Sequence, residues 1–120
     1  MDRMDSESTL LKKEASSIEE IEEAIREIAG AIGAEKAILF GSIARGTDSR
    51  RSDVDVVFVQ ETGKRFIDRS DEPLRLLWQR LHGRGLDVIV YTPSEFERMK
   101  ISGNKFVRRI LSEGKVLYGA

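Results

Sequence analysis

At 120 residues the chain has the length of one domain with a real core, and is short of two. Twenty basic residues against 21 acidic ones leave a formal net charge of −1, so no global field draws it to nucleic acid or to an anionic membrane. It holds no cysteine, which excludes disulfides and thiolate metal centres, and no apolar run approaches the ~20 residues of a membrane-spanning helix.

Residues 1–16 show little apolar periodicity and read as a flexible or loosely helical lead-in. Their acidic, polar character is unlike a signal peptide and sets the expectation of a cytoplasmic protein. Residues 17–120 read as a single domain. Ser17 and Glu20 form a Ser-x-x-Glu capping box, and Ile18, Ile21, Ile25, Ile28 and Ile32 follow at helical spacing up to a stop at Gly33. Glu35–Phe40 is the first expected strand, ending at Gly41, with a short helical turn over Ile43-Ala44-Arg45. Asp53–Val59 is the second strand. Leu74, Leu77, Trp78 and Leu81 mark a helix that starts near Ser70–Pro73 and closes at Gly83, with Trp78 expected in the core. Leu86–Tyr91 is the third strand. Thr92-Pro93-Ser94-Glu95 caps another helix, a last helix runs from about Asn104 to Ser112, and Val116–Tyr118 is a short final strand. This order predicts an α/β (α+β) fold: a small mixed sheet with helices packed mainly on one face. The second and third strands are apolar on both faces beyond their acids, as central strands are.

The chemistry concentrates between Phe40 and Val59. An apolar strand ends in Gly41-Ser42, and ten residues further on a second strand opens with Asp53-Val54-Asp55. Acids two apart on a strand point the same way, with Cα atoms about 6–7 Å apart. Carboxylates so placed can hold a pair of divalent ions about 3.5–4 Å apart, the arrangement of in-line phosphoryl displacement. A Gly-Ser turn entering a helix can turn backbone N–H groups toward phosphate oxygens. Asp87, second in an otherwise apolar strand, reaches the same site if its strand neighbours the Asp53–Asp55 strand at about 4.8 Å. As a buried carboxylate there it needs a partner or a metal. Each feature alone has an ordinary reading: charged strand ends, a tight turn, an exposed acid after Gly83-Arg84-Gly85. Arg45 reads as cover for the turn or as a phosphate contact. Arg50 and Arg51 read first as a solvated loop, Lys105, Arg108 and Arg109 as a solvated face, and His82 as a helix-end charge.

Taken together, Gly41-Ser42, the ten-residue spacer, Asp53-Val54-Asp55 and the later Asp87 resemble the DNA polymerase β-type nucleotidyltransferase superfamily, and the chain's length resembles its minimal members. The resemblance implies a nucleotidyltransferase fold with Asp53, Asp55 and Asp87 as catalytic and metal-binding residues. It implies Gly41, Ser42 and Arg45 as nucleotide- and phosphate-binding residues, two Mg²⁺ ions, and ATP as donor of a nucleoside monophosphate to a hydroxyl. Many minimal members are antitoxins paired with an all-helical HEPN-type RNase toxin, some inactivating it by adenylylating a tyrosine. That implies a HEPN-type toxin as partner and acceptor. The alternative kept open is a binding module that neutralises its partner by occlusion. Too little sequence is left for an acceptor-recognition domain, so a second copy or a different protein must present the hydroxyl. Balanced charge and the lack of an aromatic-rich basic stripe count against direct nucleic-acid binding.

Overall fold

The computed structural model describes residues 15–47 and 52–119. The expectation for residues 1–14, and Arg50 and Arg51, lie outside them. Ser17 and Glu20 close their capping box: Ser17 Oγ accepts the Glu20 N–H at 3.1 Å and the Glu20 carboxylate accepts the Ser17 N–H at 2.7 Å. Helix α1 (Ile18–Ile32) follows and ends at Gly33 in the left-handed conformation. Strand β1 (Lys36–Phe40) runs directly into the one-turn helix α2 (Gly41–Arg45). Strand β2 (Val54–Val59) leads through a 3-10 turn (Phe66–Asp68) into α3 (Asp71–Arg80). Strand β3 (Leu86–Tyr91), helices α4 (Pro93–Ile101) and α5 (Lys105–Glu113), and strand β4 (Lys115–Tyr118) complete the order.

The four strands form one mixed sheet in the order β3-β2-β1-β4. β2 and β3 are parallel, joined through α3 as a parallel pair requires. β1 is antiparallel to both β2 and β4. Alternation along β2 sends Val54, Val56 and Phe58 into a larger core with Ile21, Ile25 and Ile28 of α1 and Leu77 of α3. Val57 and Val59 enter a smaller core on the opposite face, with Phe96 of α4 and Val107 and Ile110 of α5. Helices therefore cover both faces, and the expectation of one mainly covered face describes only the larger core. The apolar positions of α5 are few and lie among Lys105, Arg108 and Arg109, so its stripe is easily read as a solvated face.

Two further expectations change. β3 is an edge strand, and most of its side chains are only partly buried, so its continuous apolar pattern does not mark a central position. Trp78 is 69% exposed, while its neighbour Leu77 is fully buried. The helical stripe straddles two faces of α3. Pro73 and Leu77 enter the core, whereas Leu74 and Trp78 line a surface groove with Asp71, Arg75 and Leu86. Among the described residues no helix is long and apolar enough to cross a membrane.

Candidate active site

The turn between β1 and α2 is built for a glycine. Phe40 ends its strand extended, and Gly41 swings to φ +79°, a conformation that L side chains rarely adopt. Space makes the same demand, since a Cβ on Gly41 would overlap Asp55 Oδ2 and lie 3.1 Å from Asp55 Cγ. The closeness follows from register: Phe40 is the cross-strand partner of Asp55. Phe40 contributes no side-chain cap to α2, so the first N–H groups at Gly41 and Ser42 have no side-chain acceptor there.

Asp55 is also the register partner of Asp87 on the neighbouring parallel strand. Paired positions in adjacent strands project to the same face, and Asp53, just before β2 begins, lies near enough for its charge to act on Asp55. Asp55 is half-buried and Asp53 and Asp87 are exposed. Exposure of Asp87 corrects the reading of it as a buried carboxylate: it stands near the start of an edge strand, where solvent reaches it. Burial pushes the Asp55 carboxyl up to about 6, the charges of Asp87 and Asp53 add to the rise, and Arg45 opposes it. Arg45 is exposed and its Nη1 lies 3.5 Å from Glu113 Oε1, which ties α2 to the end of α5. The structure thus sets Gly41 against Asp55 and Asp55 beside Asp87 at one end of the sheet, with Asp53 and Ser42 next to them in the chain and Arg45 near enough for its charge to act on Asp55. His82 and Trp78 belong to other surroundings.

Two more residues shape this end of the sheet. A Cβ on Gly85 would collide with Asp53 Oδ1 and come within 3.1 Å of its Cγ, so Gly85 leaves room for that carboxylate. Glu113 holds Arg45. Neither has a distinctive signal in the sequence, although a glycine two residues before a strand acid is a cue for close backbone approach.

The model of the nucleotidyltransferase domain family matches residues 18–118. The chain belongs to this family. A protein of Methanocaldococcus jannaschii, provisionally named a protein adenylyltransferase, is 34% identical over 103 residues, covering 81% of this chain and 97% of the relative. A crystal structure from Sulfolobus solfataricus, provisionally called a nucleotidyltransferase, shares the fold with a TM-score of 0.51 at 24% identity, over 82% of this chain and 76% of that one. A toxin–antitoxin crystal structure with AMP-PNP aligns with a TM-score of 0.52 at 21% identity, over 82% and 73%. The fold is that of a nucleotidyltransferase and the chain is an enzyme of that kind.

The donor set suits a hard divalent ion. Its oxygens are carboxylates, and a cation would offset both the burial of the Asp55 charge and its repulsion by Asp87 and Asp53. Among the described residues no group of three or more His, Cys, Asp or Glu side chains is placed so that together they could hold a metal ion. Mg²⁺ is ordinarily held by one or two carboxylates together with substrate phosphates and water, so any such site here would need phosphate oxygens to complete it.

Proposed function

We propose that this chain is a Mg²⁺-dependent protein adenylyltransferase that moves AMP from ATP to a hydroxyl of a partner protein, acting as the antitoxin of a HEPN-type RNase toxin. The observation that carries the reading is the juxtaposition of Gly41 with Asp55 and of Asp55 with Asp87. The relative's name supports protein as acceptor, and the toxin–antitoxin structure with AMP-PNP is the precedent for donor and partner.

In this reading Asp53, Asp55 and Asp87 would hold Mg²⁺ together with the nucleotide's phosphates, and the ion would supply neutralisation of phosphate charge and a lower pKa for the attacking hydroxyl. The Gly41 turn and the Ser42 hydroxyl hold the β- and γ-phosphates, and Arg45 faces the departing charge. The acceptor oxygen forms a bond to the α-phosphorus while the bond to the bridging oxygen breaks and pyrophosphate leaves. Asp87, exposed near the start of β3, would take the proton of the incoming hydroxyl. The acceptor comes from outside because the described residues are occupied by one sheet and its covering helices.

Incubation with α-labelled ATP, Mg²⁺ and the protein encoded next to this chain should label that protein. Asp53→Ala should abolish labelling while leaving the circular dichroism spectrum unchanged. Labelling that persists in a folded Asp53→Ala variant contradicts the assigned site. Toxin neutralisation that persists without labelling favours occlusion.

A further inference from the structure

The sheet ladder fixes Asp55 and Asp87 in register, but β2 begins only at Val54, so Asp53 lies outside the strand. Something else must hold the first acid of the trio. The geometry points to Arg84 as a positioning residue for Asp53, acting from the loop between α3 and β3; this rests on the reading of Asp53 as part of the nucleotide site.

Arg84 and the residue after it hold the backbone on both sides of Asp53. Arg84 Nη1 donates to the Ser52 carbonyl at 3.0 Å. The carbonyl of Gly85 accepts the Val54 N–H at 2.9 Å. Between these two anchors the Asp53 carboxylate lies over Gly85, where a side chain of any size would displace it. The clamp has a fixed base. Arg84 Nε donates to the Ser16 carbonyl at 2.8 Å. Ser16 is 1% exposed, its N–H donates to the His82 carbonyl at 3.0 Å, and its Oγ accepts the His82 N–H at 3.1 Å. Gly83, at φ +75°, packs so tightly on Ala15 that a Cβ would strike the Ala15 backbone. The guanidinium therefore spans two carbonyls in different segments, one of them immobilised by the loop that carries Arg84 itself. A planar fork with several donors can do this, and a single ammonium cannot reach both in the same geometry. Two residues beyond Gly85 the same loop becomes Asp87, so one short segment sets Asp53 and Asp87 relative to each other.

Arg84→Gln and Arg84→Lys in the full chain separate this role from general stabilisation, with two readouts. The first is amide hydrogen exchange at Val54 compared with Phe58 in the middle of β2. The second is the affinity for Mn²⁺·ATP measured by electron paramagnetic resonance. Arg84→Gln should speed exchange at Val54 with Phe58 unchanged, and should weaken Mn²⁺·ATP binding about tenfold or more, the scale seen when a ligand's supporting partner is removed. Arg84→Lys, keeping the charge but not the planar fork, should fall between Gln and wild type, and it carries the test if Arg84→Gln does not fold. A folded variant with wild-type Val54 exchange or wild-type Mn²⁺·ATP affinity overturns the assignment. Failure of the wild-type chain to bind Mn²⁺·ATP is a different result, visible before any variant is made. It overturns the nucleotide-site reading and Arg84's role within it.

Discussion

Asp55→Asn is expected to stabilise the protein and to inactivate it. Nucleotidyl transfer should fall by about 10²–10³-fold, the scale for removing one preorganised electrostatic group from an active site. The melting temperature should rise at neutral pH, because the Asp55 carboxyl is pushed up to about 6 by burial and by Asp87 and Asp53. The sign follows from linkage. The folded state holds the Asp55 proton more tightly than the unfolded chain, so the stability it contributes is full below the ordinary value of 3.8 and is lost as pH rises through about 6. With Asp55 partly open to solvent, the loss is discounted to about 1 kcal/mol, or roughly 4 °C in melting temperature for a domain of this size. The wild type should lose that increment between about pH 4 and pH 6, while Asp55→Asn should not. The same proton competes with a cation, so Mg²⁺·ATP affinity of the wild type should weaken as pH falls through about 6. Thermal melts of both proteins from pH 4 to 8, beside a transfer assay at pH 7.5, check this. An Asp55→Asn variant that melts below wild type at pH 7.5 would show that burial and the neighbouring acids do not penalise the Asp55 charge.

Gly41→Ala and Gly46→Ala should part company although the two glycines share a conformation. Both have φ near +79°, so an alanine at either site costs about 1 kcal/mol of backbone strain. Nothing lies within 4 Å of a Cβ on Gly46, and its substitution should show that cost and little else. On Gly41 the Cβ runs into the Asp55 carboxylate, which must move. A displacement of about 1 Å at a reacting centre is worth about a hundredfold in rate. Gly41→Ala should therefore lose about that much transfer activity, with Gly46→Ala near wild type once both are assayed below their melting temperatures. Equal activities would remove the Gly41 turn from the site.

What could be read from the sequence was what local chemistry determines. The Ser17–Glu20 and Thr92–Glu95 capping boxes, the isoleucine stripe of α1 and the Leu86–Tyr91 strand are signals within a few residues, and the structure follows them closely. The convergence of Gly41 with Asp55 and of Asp55 with Asp87 could be anticipated because strand alternation and one neighbouring relation suffice. Placement of β3 at the sheet edge, cover of the second face by α4 and α5, and exposure of Trp78 depend on which elements meet, and hydrophobic period does not encode that. Trp78 is the plainest instance. It sits at helical spacing from Leu74 and Leu81, yet the core takes Leu77 and leaves Trp78 over a groove. Arg84 and Gly85 were hidden for a related reason: their contacts are to Ser16, Ser52 and Val54, some 30 to 70 residues away, and are made largely by backbone atoms.

In the proposed function the Gly41 turn and the carboxylates of Asp53, Asp55 and Asp87 together grip a nucleotide through a divalent ion. Thermal unfolding with ATP alone, Mg²⁺ alone and both together tests it most directly. The pair should raise the melting temperature well beyond the sum of its parts, by the equivalent of about 2.7 kcal/mol at a hundred times the dissociation constant, and Asp55→Asn should lose this joint effect. No joint stabilisation of the wild type, or the same stabilisation of Asp55→Asn, would contradict it.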